Sequence, residues 1–137
     1  MTAAELVTVM MILSGGKHEG RAARIAPALA HAAEIYGVPA IELAAIAWHE
    51  SAYRALATGR KGELGALQVA PSSRALWCLG VPFEERPSAL INCGARLFAR
   101  ARLKCPAHPF TAYHTPSHCG PSPYETKIRN TLKKATK

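Results

Sequence analysis

The sequence lacks aspartate, long apolar runs and regular strand patterns. All nine acidic side chains among its 137 residues are glutamates. No apolar run approaches the roughly 18–20 residues that cross a bilayer, so we expect no transmembrane segment. Apolar and polar residues rarely alternate at every second position, which excludes a strand-rich fold. Without an internal repeat or a linker, residues 1–137 are expected to form a single domain with a real core.

Paired Cys-x-x-Cys motifs are also absent. The pattern most similar to a zinc site is Cys105-x-x-His108 with the nearby pair His118-Cys119. Because no paired motif accompanies it, we predict no metal site. An even number of cysteines allows three pairings and suits an exported protein with disulfides, although buried free thiols are an equal alternative. The four candidate disulfide cysteines are Cys78, Cys93, Cys105 and Cys119.

Helical periodicity dominates what is present, and we predict an all-α domain. The predicted helices cover residues 3–13, 24–36, 40–51, 72–78, 88–103 and 123–134. Pro27 is expected in a first helical turn and Gly37 at a C-terminal cap. Loops rich in glycine and proline are predicted over 57–66 and 105–123, with at most a small hairpin around 60–69.

The apolar stretch at residues 6–13 is short and has no basic leader, which disfavours a cleavable signal peptide. Thr2 and Glu5 instead have the spacing of a capping box, so we expect a native first helix.

Glu50 is the residue that most strongly suggests chemistry. Within residues 40–51, Leu43, Ile46, Ala47 and Glu50 follow the i, i+3, i+4, i+7 spacing, so the apolar face of a helix ends in an acid. Burial and the negative end of the helix dipole would both raise the pKa of this carboxyl. Such a group can act as a general acid. The alternative is an ordinary acid in a fraying last turn.

A glycine-rich segment follows this helix. Gly59, Gly62 and Gly65 precede Gln68 and Pro71, and no Gly-Lys-Ser/Thr ending follows, which excludes a phosphate-binding P-loop. Glycines let a backbone approach a ligand closely, and an amide side chain can hydrogen-bond hydroxyl and N-acetyl groups. We expect this segment to form one wall of a cleft.

Five motifs in this order resemble the soluble lytic transglycosylase (goose-type lysozyme-like) family. The central motif is Glu50-Ser51 followed by GELGALQVAP, and the resemblance covers about residues 22–132. The other motifs lie at residues 36–39 (YGVP), 94–98 (GARLF), 112–114 (AYH) and 124–128 (YETKI). Two positions depart from the family pattern: His114 and Leu90 stand where the family commonly has asparagine, and Asn92 is displaced.

The resemblance implies a lysozyme-like helical fold with little or no sheet and a substrate cleft. It implies a peptidoglycan lytic transglycosylase that needs no cofactor, with Glu50 as acid and then base and a 1,6-anhydromuramoyl product. The residues expected to bind substrate are Ser51, Tyr53, Gln68, Tyr113, His114 and Tyr124. Glu63 is the candidate second carboxylate for the alternative, a hydrolytic muramidase on the same scaffold. His49 points about 100° away from Glu50 around the helix and is left out of the mechanism.

The net charge of +8 favours anionic polymers as partners. Basic residues cluster at the C-terminus and on the 88–103 helix, but no recognised docking motif accompanies them, so we predict no nucleic-acid binding. We expect a monomer that acts on peptidoglycan strands at the cell wall or in the periplasm, with peripheral contact to an anionic wall or membrane surface. Phage-encoded lysis, secretion and wall turnover are its alternative contexts, and a non-catalytic wall-binding module is a further alternative. Trp48 and Trp77 are expected in the core.

Overall fold

The computed structural model describes residues 1–78 and 87–136, with the backbone alone at residues 75–77. The predicted core position of the Trp77 side chain therefore lies outside the described residues. The described part forms α1 (Ala3–Ser14), α2 (Glu19–Tyr36), α3 (Ala40–Ser51), α4 (Pro71–Trp77), α5 (Pro87–Lys104), α6 (Pro109–His114), α7 (Pro123–Lys133) and a terminal 3₁₀ turn (Lys134–Thr136). The predicted all-α class is confirmed.

The first helix is an integral part of the core. The Thr2 and Glu5 side chains each accept a hydrogen bond from the other residue's backbone N–H, at 3.1 and 2.9 Å, so the predicted capping box is present. Leu6, Met10 and Leu13 are fully buried. The helix ends at Gly15, whose φ of 68° is readily adopted by glycine.

Helix α2 corrects one prediction. It begins at Glu19, so Pro27 lies in the helix interior rather than in its first turn. Proline removes one backbone donor and crowds the carbonyl four residues earlier. Here Pro27 and that residue, Ala23, are both exposed, so water can reach the interrupted position. The buried face formed by Ala22, Ile25, Ala26 and Leu29 continues past the proline and keeps the helix packed.

Alanines on α3 allow helices to approach it closely. Ala44, Ala45 and Ala47 are fully buried, in a helix that packs against α1, α2 and α7. Near the far end of the core, Phe98 of α5 stacks on Phe110 of α6 with ring centroids 5.3 Å apart. Trp48 is partly buried and packs against the core, as expected.

Two disulfides cross-link the chain near the cleft. Disulfides join Cys78 to Cys93 and Cys105 to Cys119, and the second encloses α6.

The short helix α6 lies inside the segment that was predicted as a loop over 105–123. With six residues it is too short to show a helical period, and Pro109 at its first position is a start signal that also occurs in turns. His108 hydrogen-bonds Glu125 at 2.7 Å.

Strand-like pairing within the described residues is limited to isolated bridges from Leu64 to Thr58 and to Val69, within the segment where a small hairpin was expected. Across the part of the chain that the structure describes, no helix is both long and apolar enough to cross a bilayer.

Candidate active site

A cleft of about 500 Å³ opens at the C-terminal end of α3. The glycine-rich segment forms one wall, and the end of α6 with the residues after it forms the other. Its lining consists of Glu50, Lys61, Glu63, Gln68, Val69, Ala70, Ser73, Leu97, Tyr113, His114, Thr115 and Pro116. The predicted acid and the predicted loop therefore face the same cavity.

Glu50 lies in the last turn of α3, and its carboxyl has a strongly raised pKa. Burial raises the pKa of its carboxyl to about 7, and the negative charge of Glu63 acts in the same direction. The hydroxyl of Tyr124 opposes this shift, since it interacts with the Glu50 carboxyl without reaching regular hydrogen-bond geometry. At neutral pH the protonated and ionised forms of Glu50 are thus close in free energy, which suits a group that must give and retake a proton.

Two tyrosines border Glu50 as neutral donors. The Tyr113 hydroxyl donates a 2.6 Å hydrogen bond to the carbonyl of Leu67. The Tyr124 hydroxyl is buried and directed toward Glu50. Burial raises the pKa of both phenols, and the charge of Glu50 raises it further. Both therefore remain protonated when Glu50 ionises.

His114 forms part of the same wall. Its imidazole stacks on the Tyr124 ring with centroids 4.2 Å apart and planes 12° apart. The imidazole is otherwise exposed to the cleft. The position where the family commonly has asparagine is thus occupied here by a ring that covers Tyr124 and faces the cavity.

The Gln68 side chain hydrogen-bonds backbone carbonyls of the glycine-rich segment and of the residues just before it. Gln68 has a φ of 50°, and its amide nitrogen donates to the carbonyls of Ala57 and Gly65 at 3.1 and 3.0 Å. Both amide protons are therefore used inside the loop, and the side-chain oxygen is the atom left for a substrate donor. The predicted role of Gln68 narrows to that acceptor.

The second departure from the family pattern has a packing explanation. Leu90 is buried, and a Cβ added to Gly65 would lie 2.8 Å from the Leu90 Cβ. Gly65 also has a φ of 85°, a conformation that favours glycine. Leu90 therefore supports the glycine-rich segment from behind and does not face the substrate.

Glu63 lines the same cleft as Glu50, but its pKa is shifted in the opposite direction. Its Oε1 accepts a 2.7 Å hydrogen bond from the backbone N–H of Lys61. Backbone N–H groups, those of Glu63 itself and of Lys61, lower the pKa of this carboxyl. The two acids in the cleft thus differ, with Glu63 ionised under conditions in which Glu50 still carries its proton.

Ser51 and Tyr53 do not line the cleft, and their predicted roles in substrate binding are corrected. The Ser51 hydroxyl is buried within 3.0 Å of the Ala47 carbonyl and 2.8 Å of the Ala66 carbonyl. The Tyr53 hydroxyl donates to the Met10 carbonyl at 2.8 Å, and its side chain is fully buried. Ala52 and Tyr53 both have positive φ values, which reverse the chain after α3 and turn the Tyr53 ring into the core.

Several residues that line the cleft carry no individual signal in the sequence. Lys61, Ser73, Leu97, Thr115 and Pro116 border the cavity without having been predicted. Leu97 belongs to one of the five family-like motifs, and its position there was the available signal. Lys61 lies in the glycine-rich segment that was expected to form a wall of the cleft, whereas the approach of Ser73, Thr115 and Pro116 to Glu50 depends on the tertiary fold.

An acid with a pKa near neutrality, beside neutral hydroxyl groups in a cleft, has the properties of a general acid–base site. A family model described as Transglycosylase SLT domain matches residues 27–137. Since the match covers most of the chain, the protein belongs to this family, and its substrate and activity are those of a lytic transglycosylase acting on cell-wall peptidoglycan. No curated protein and no solved structure matches the chain.

Proposed function

We propose that Glu50 alone serves as acid and base in cleaving the bond between N-acetylmuramic acid and N-acetylglucosamine, and that the product carries a 1,6-anhydromuramoyl end. The observation that supports this best is the position of Glu50: a partly buried carboxyl that has a pKa of about 7 and lines a cleft. A single group that must donate and then accept a proton works best when its pKa lies near the working pH.

The proposed reaction has two steps. The Glu50 carboxyl first protonates the glycosidic oxygen, the C1–O bond breaks, and the N-acetyl oxygen of the muramoyl sugar bonds to C1. The Glu50 carboxylate then removes the proton from the C6 hydroxyl, whose oxygen bonds to C1 and displaces the acetyl oxygen. Glu50 recovers its proton, and no water is consumed.

The hydroxyls around Glu50 have roles that fit these steps. Tyr124 faces the carboxyl and can hydrogen-bond the carboxylate formed in the first step. Since its own pKa is raised, it does not compete for the proton. The Gln68 side-chain oxygen can accept a hydrogen bond from an N-acetyl N–H or a sugar hydroxyl. Tyr113 supports the wall rather than the reacting atoms, because its proton is bound to the Leu67 carbonyl.

A hydrolytic muramidase is the second candidate, and it rests on Glu63. Glu63 lies in the same cleft and its charge reaches Glu50. An ionised second carboxylate is what a two-acid glycoside hydrolase requires to activate water or attack C1. The backbone hydrogen bond from Lys61 instead favours a structural role for Glu63 in the loop.

Product analysis of purified sacculi separates these reactions. We expect fragments lighter than the hydrolytic product by one water, and no label when the digest is run in heavy-oxygen water. Labelled reducing ends would contradict the transglycosylase reaction and favour the muramidase.

The matched variants are Glu50→Gln and Glu63→Gln. We expect Glu50→Gln to lose cleavage of sacculi while keeping the helical circular dichroism of the wild type. Glu63→Gln should retain the anhydromuramoyl product. Retained activity in Glu50→Gln would refute the assignment of the acid, and loss of activity in both would support the two-carboxylate mechanism.

A further inference from the structure

The end of α7 that carries Tyr124 is bonded to the α6 segment by polar side chains. The Ser122 Oγ accepts a 3.1 Å hydrogen bond from the Glu125 N–H and lies 2.7 Å from the Thr111 Oγ1 of α6. The Glu125 Oε1 lies 2.7 Å from Nδ1 of His108, the N-cap residue of α6. Tyr124 thus lies between two residues that are both bonded to this segment.

The Glu125 carboxylate is buried, whereas His108 exposes 31% of its side chain. An ionised carboxylate only accepts hydrogen bonds, so Nδ1 of His108 is the donor of this pair. The Glu125 Oε2 lies 3.7 Å from an Arg129 nitrogen and makes no hydrogen bond within the described part of the chain. Without the imidazole, the buried carboxylate would therefore lose its one side-chain donor at hydrogen-bond distance, which carries a full desolvation cost.

Tyr124 has no directional bond that fixes its hydroxyl. The hydroxyl is buried and has no regular hydrogen-bond partner among the described residues. The Tyr124 ring stacks on His114, a contact that does not fix the ring along its own plane. The distance from the hydroxyl to Glu50 therefore depends on where the backbone at the start of α7 is held.

We propose that the His108–Glu125 pair positions the Tyr124 hydroxyl against Glu50 and acts on the reaction through that hydroxyl. This inference rests on the proposed function, in which Glu50 becomes a carboxylate in the first step and needs a nearby donor. Neither member of the pair is among the described residues that line the cleft, so both are positioning residues and do not touch substrate.

The pair acts on Glu50 through position and not through charge. The pKa of Glu50 is raised by burial and by the Glu63 charge and lowered by the Tyr124 hydroxyl, and the charges of His108 and Glu125 are not among these causes. When the hydroxyl moves away, the pKa of Glu50 must therefore rise further. The carboxylate formed in the reaction would also lose its donor.

Titration of the Glu50 carboxyl by carbon-13 NMR, without substrate, tests the proposal on the folded protein. His108→Ala removes the donor to Glu125, whereas His108→Asn retains an amide N–H that can take the place of Nδ1. We expect the pKa of Glu50 to rise in Tyr124→Phe and in His108→Ala, and to stay at the wild-type value in His108→Asn. In the Tyr124→Phe background, His108→Ala should cause no further rise, because no hydroxyl is left to displace.

Cleavage of soluble glycan strands should follow the same pattern. We expect kcat to fall about tenfold in Tyr124→Phe and about three- to tenfold in His108→Ala, as for a lost or weakened hydrogen bond to a charged group. The alkaline limb of kcat/KM should move to higher pH in both, because Glu50 retains its proton to a higher pH. His108→Asn should recover most of the lost rate. His31→Ala removes an exposed imidazole of α2 and is the control.

An unchanged pKa of Glu50 in a folded His108→Ala variant would overturn the proposal. A rise as large in the Tyr124→Phe background as in the wild type would also overturn it, since the pair would then act without the hydroxyl. Should His108→Ala not fold, Glu125→Gln weakens the same bond and gives the same comparison. Retained cleavage in Glu50→Gln would instead show that the proposed function is wrong, while the titrations would still report whether the pair holds the hydroxyl in place.

Discussion

The hydroxyl of Tyr113 donates a 2.6 Å hydrogen bond to the backbone carbonyl of Leu67, across 46 positions of sequence. Tyr113 belongs to α6 on one wall of the cleft, and Leu67 belongs to the glycine-rich segment on the other. The two walls are thus joined by a direct bond next to Glu50. The width of the cleft at the acid depends on this bond.

Removing this hydroxyl should weaken both the fold and the catalysis. Tyr113→Phe leaves the Leu67 carbonyl without its donor, and we expect a loss of about 1–2 kcal/mol in the free energy of unfolding, measured with urea. kcat/KM on peptidoglycan should fall as well, because the walls lose their link. Tyr36→Phe is the control, since the Tyr36 hydroxyl makes no hydrogen bond in the described part of the chain. A Tyr113→Phe variant as stable and active as this control would refute the role of the bond.

The raised pKa of Glu50 predicts how stability depends on pH. From about pH 4.5, the ordinary value for the carboxyl, to about pH 7, its folded value, the folded state binds more protons at Glu50 than the unfolded chain does. The wild type should therefore lose stability as the pH rises through this window. Glu50→Gln removes the dependence and should be more stable than the wild type above pH 7, by roughly 3 kcal/mol, with the difference closing below pH 4.5.

Urea unfolding of both proteins at the two ends of this pH window measures the effect. Glu34→Gln, which changes the same charge on the exposed face of α2, controls for net charge. A stability difference between Glu50→Gln and the wild type that is the same at both ends of the window would show that the Glu50 carboxyl is not desolvated.

Two helical glycines should respond in opposite ways to alanine. A Cβ at Gly94 of α5 would lie 2.6 Å from the Leu67 Cδ1 and 2.7 Å from its Cβ, whereas a Cβ at Gly20 of α2 meets nothing within 4 Å. Alanine favours a helix over glycine by up to about 1 kcal/mol. We expect Gly20→Ala to gain up to this amount, and Gly94→Ala to lose about 1–3 kcal/mol because overpacking outweighs propensity. Thermal unfolding of both variants measures the difference. A stabilised Gly94→Ala variant would show that the segment around Leu67 can shift at little cost to make room for the added methyl group.

Loss of the Cys105–Cys119 disulfide should affect catalysis more than loss of Cys78–Cys93. The two bonds close loops of similar length, with separations of 14 and 15 residues, so each should contribute about 3 kcal/mol of stability. The Cys105–Cys119 disulfide encloses α6, which carries the cleft residues Tyr113 and His114. We expect the double serine variant at 105 and 119 to lose more of its kcat/KM than the one at 78 and 93, for a similar fall in melting temperature. Equal losses of activity would indicate that α6 holds its position without the bond.

The sequence predicted what depends on short-range pattern. The capping box of Thr2 and Glu5 and the acid at the end of α3 follow from spacings of three and four residues, and the structure places them as expected. The orientation of Tyr53 could not be predicted this way. It depends on the positive φ values at Ala52 and Tyr53, which neither residue type favours and which tertiary packing imposes.

Only some of the residues that form the cleft could be predicted from the sequence. Gln68 and Tyr113 were found through motifs, but their bonds to loop carbonyls require the folded chain. Thr115 and Pro116 line the cleft directly after a six-residue helix that is too short to show a periodic signal. These positions are set by contacts between distant segments.

The buried Ser51 hydroxyl lies within hydrogen-bond distance of the carbonyls of Ala47 in α3 and Ala66 in the glycine-rich segment, and so links the two. Because Ser51 follows Glu50 directly in the chain, we expect a shift of the loop backbone at Ala66 to displace the proposed proton donor. The loop therefore has little freedom to change sequence for new substrates without misaligning the acid. Variation in specificity should accumulate instead at positions of the opposite wall that have no bond to this loop, since Tyr113 on that wall is itself bonded to the Leu67 carbonyl.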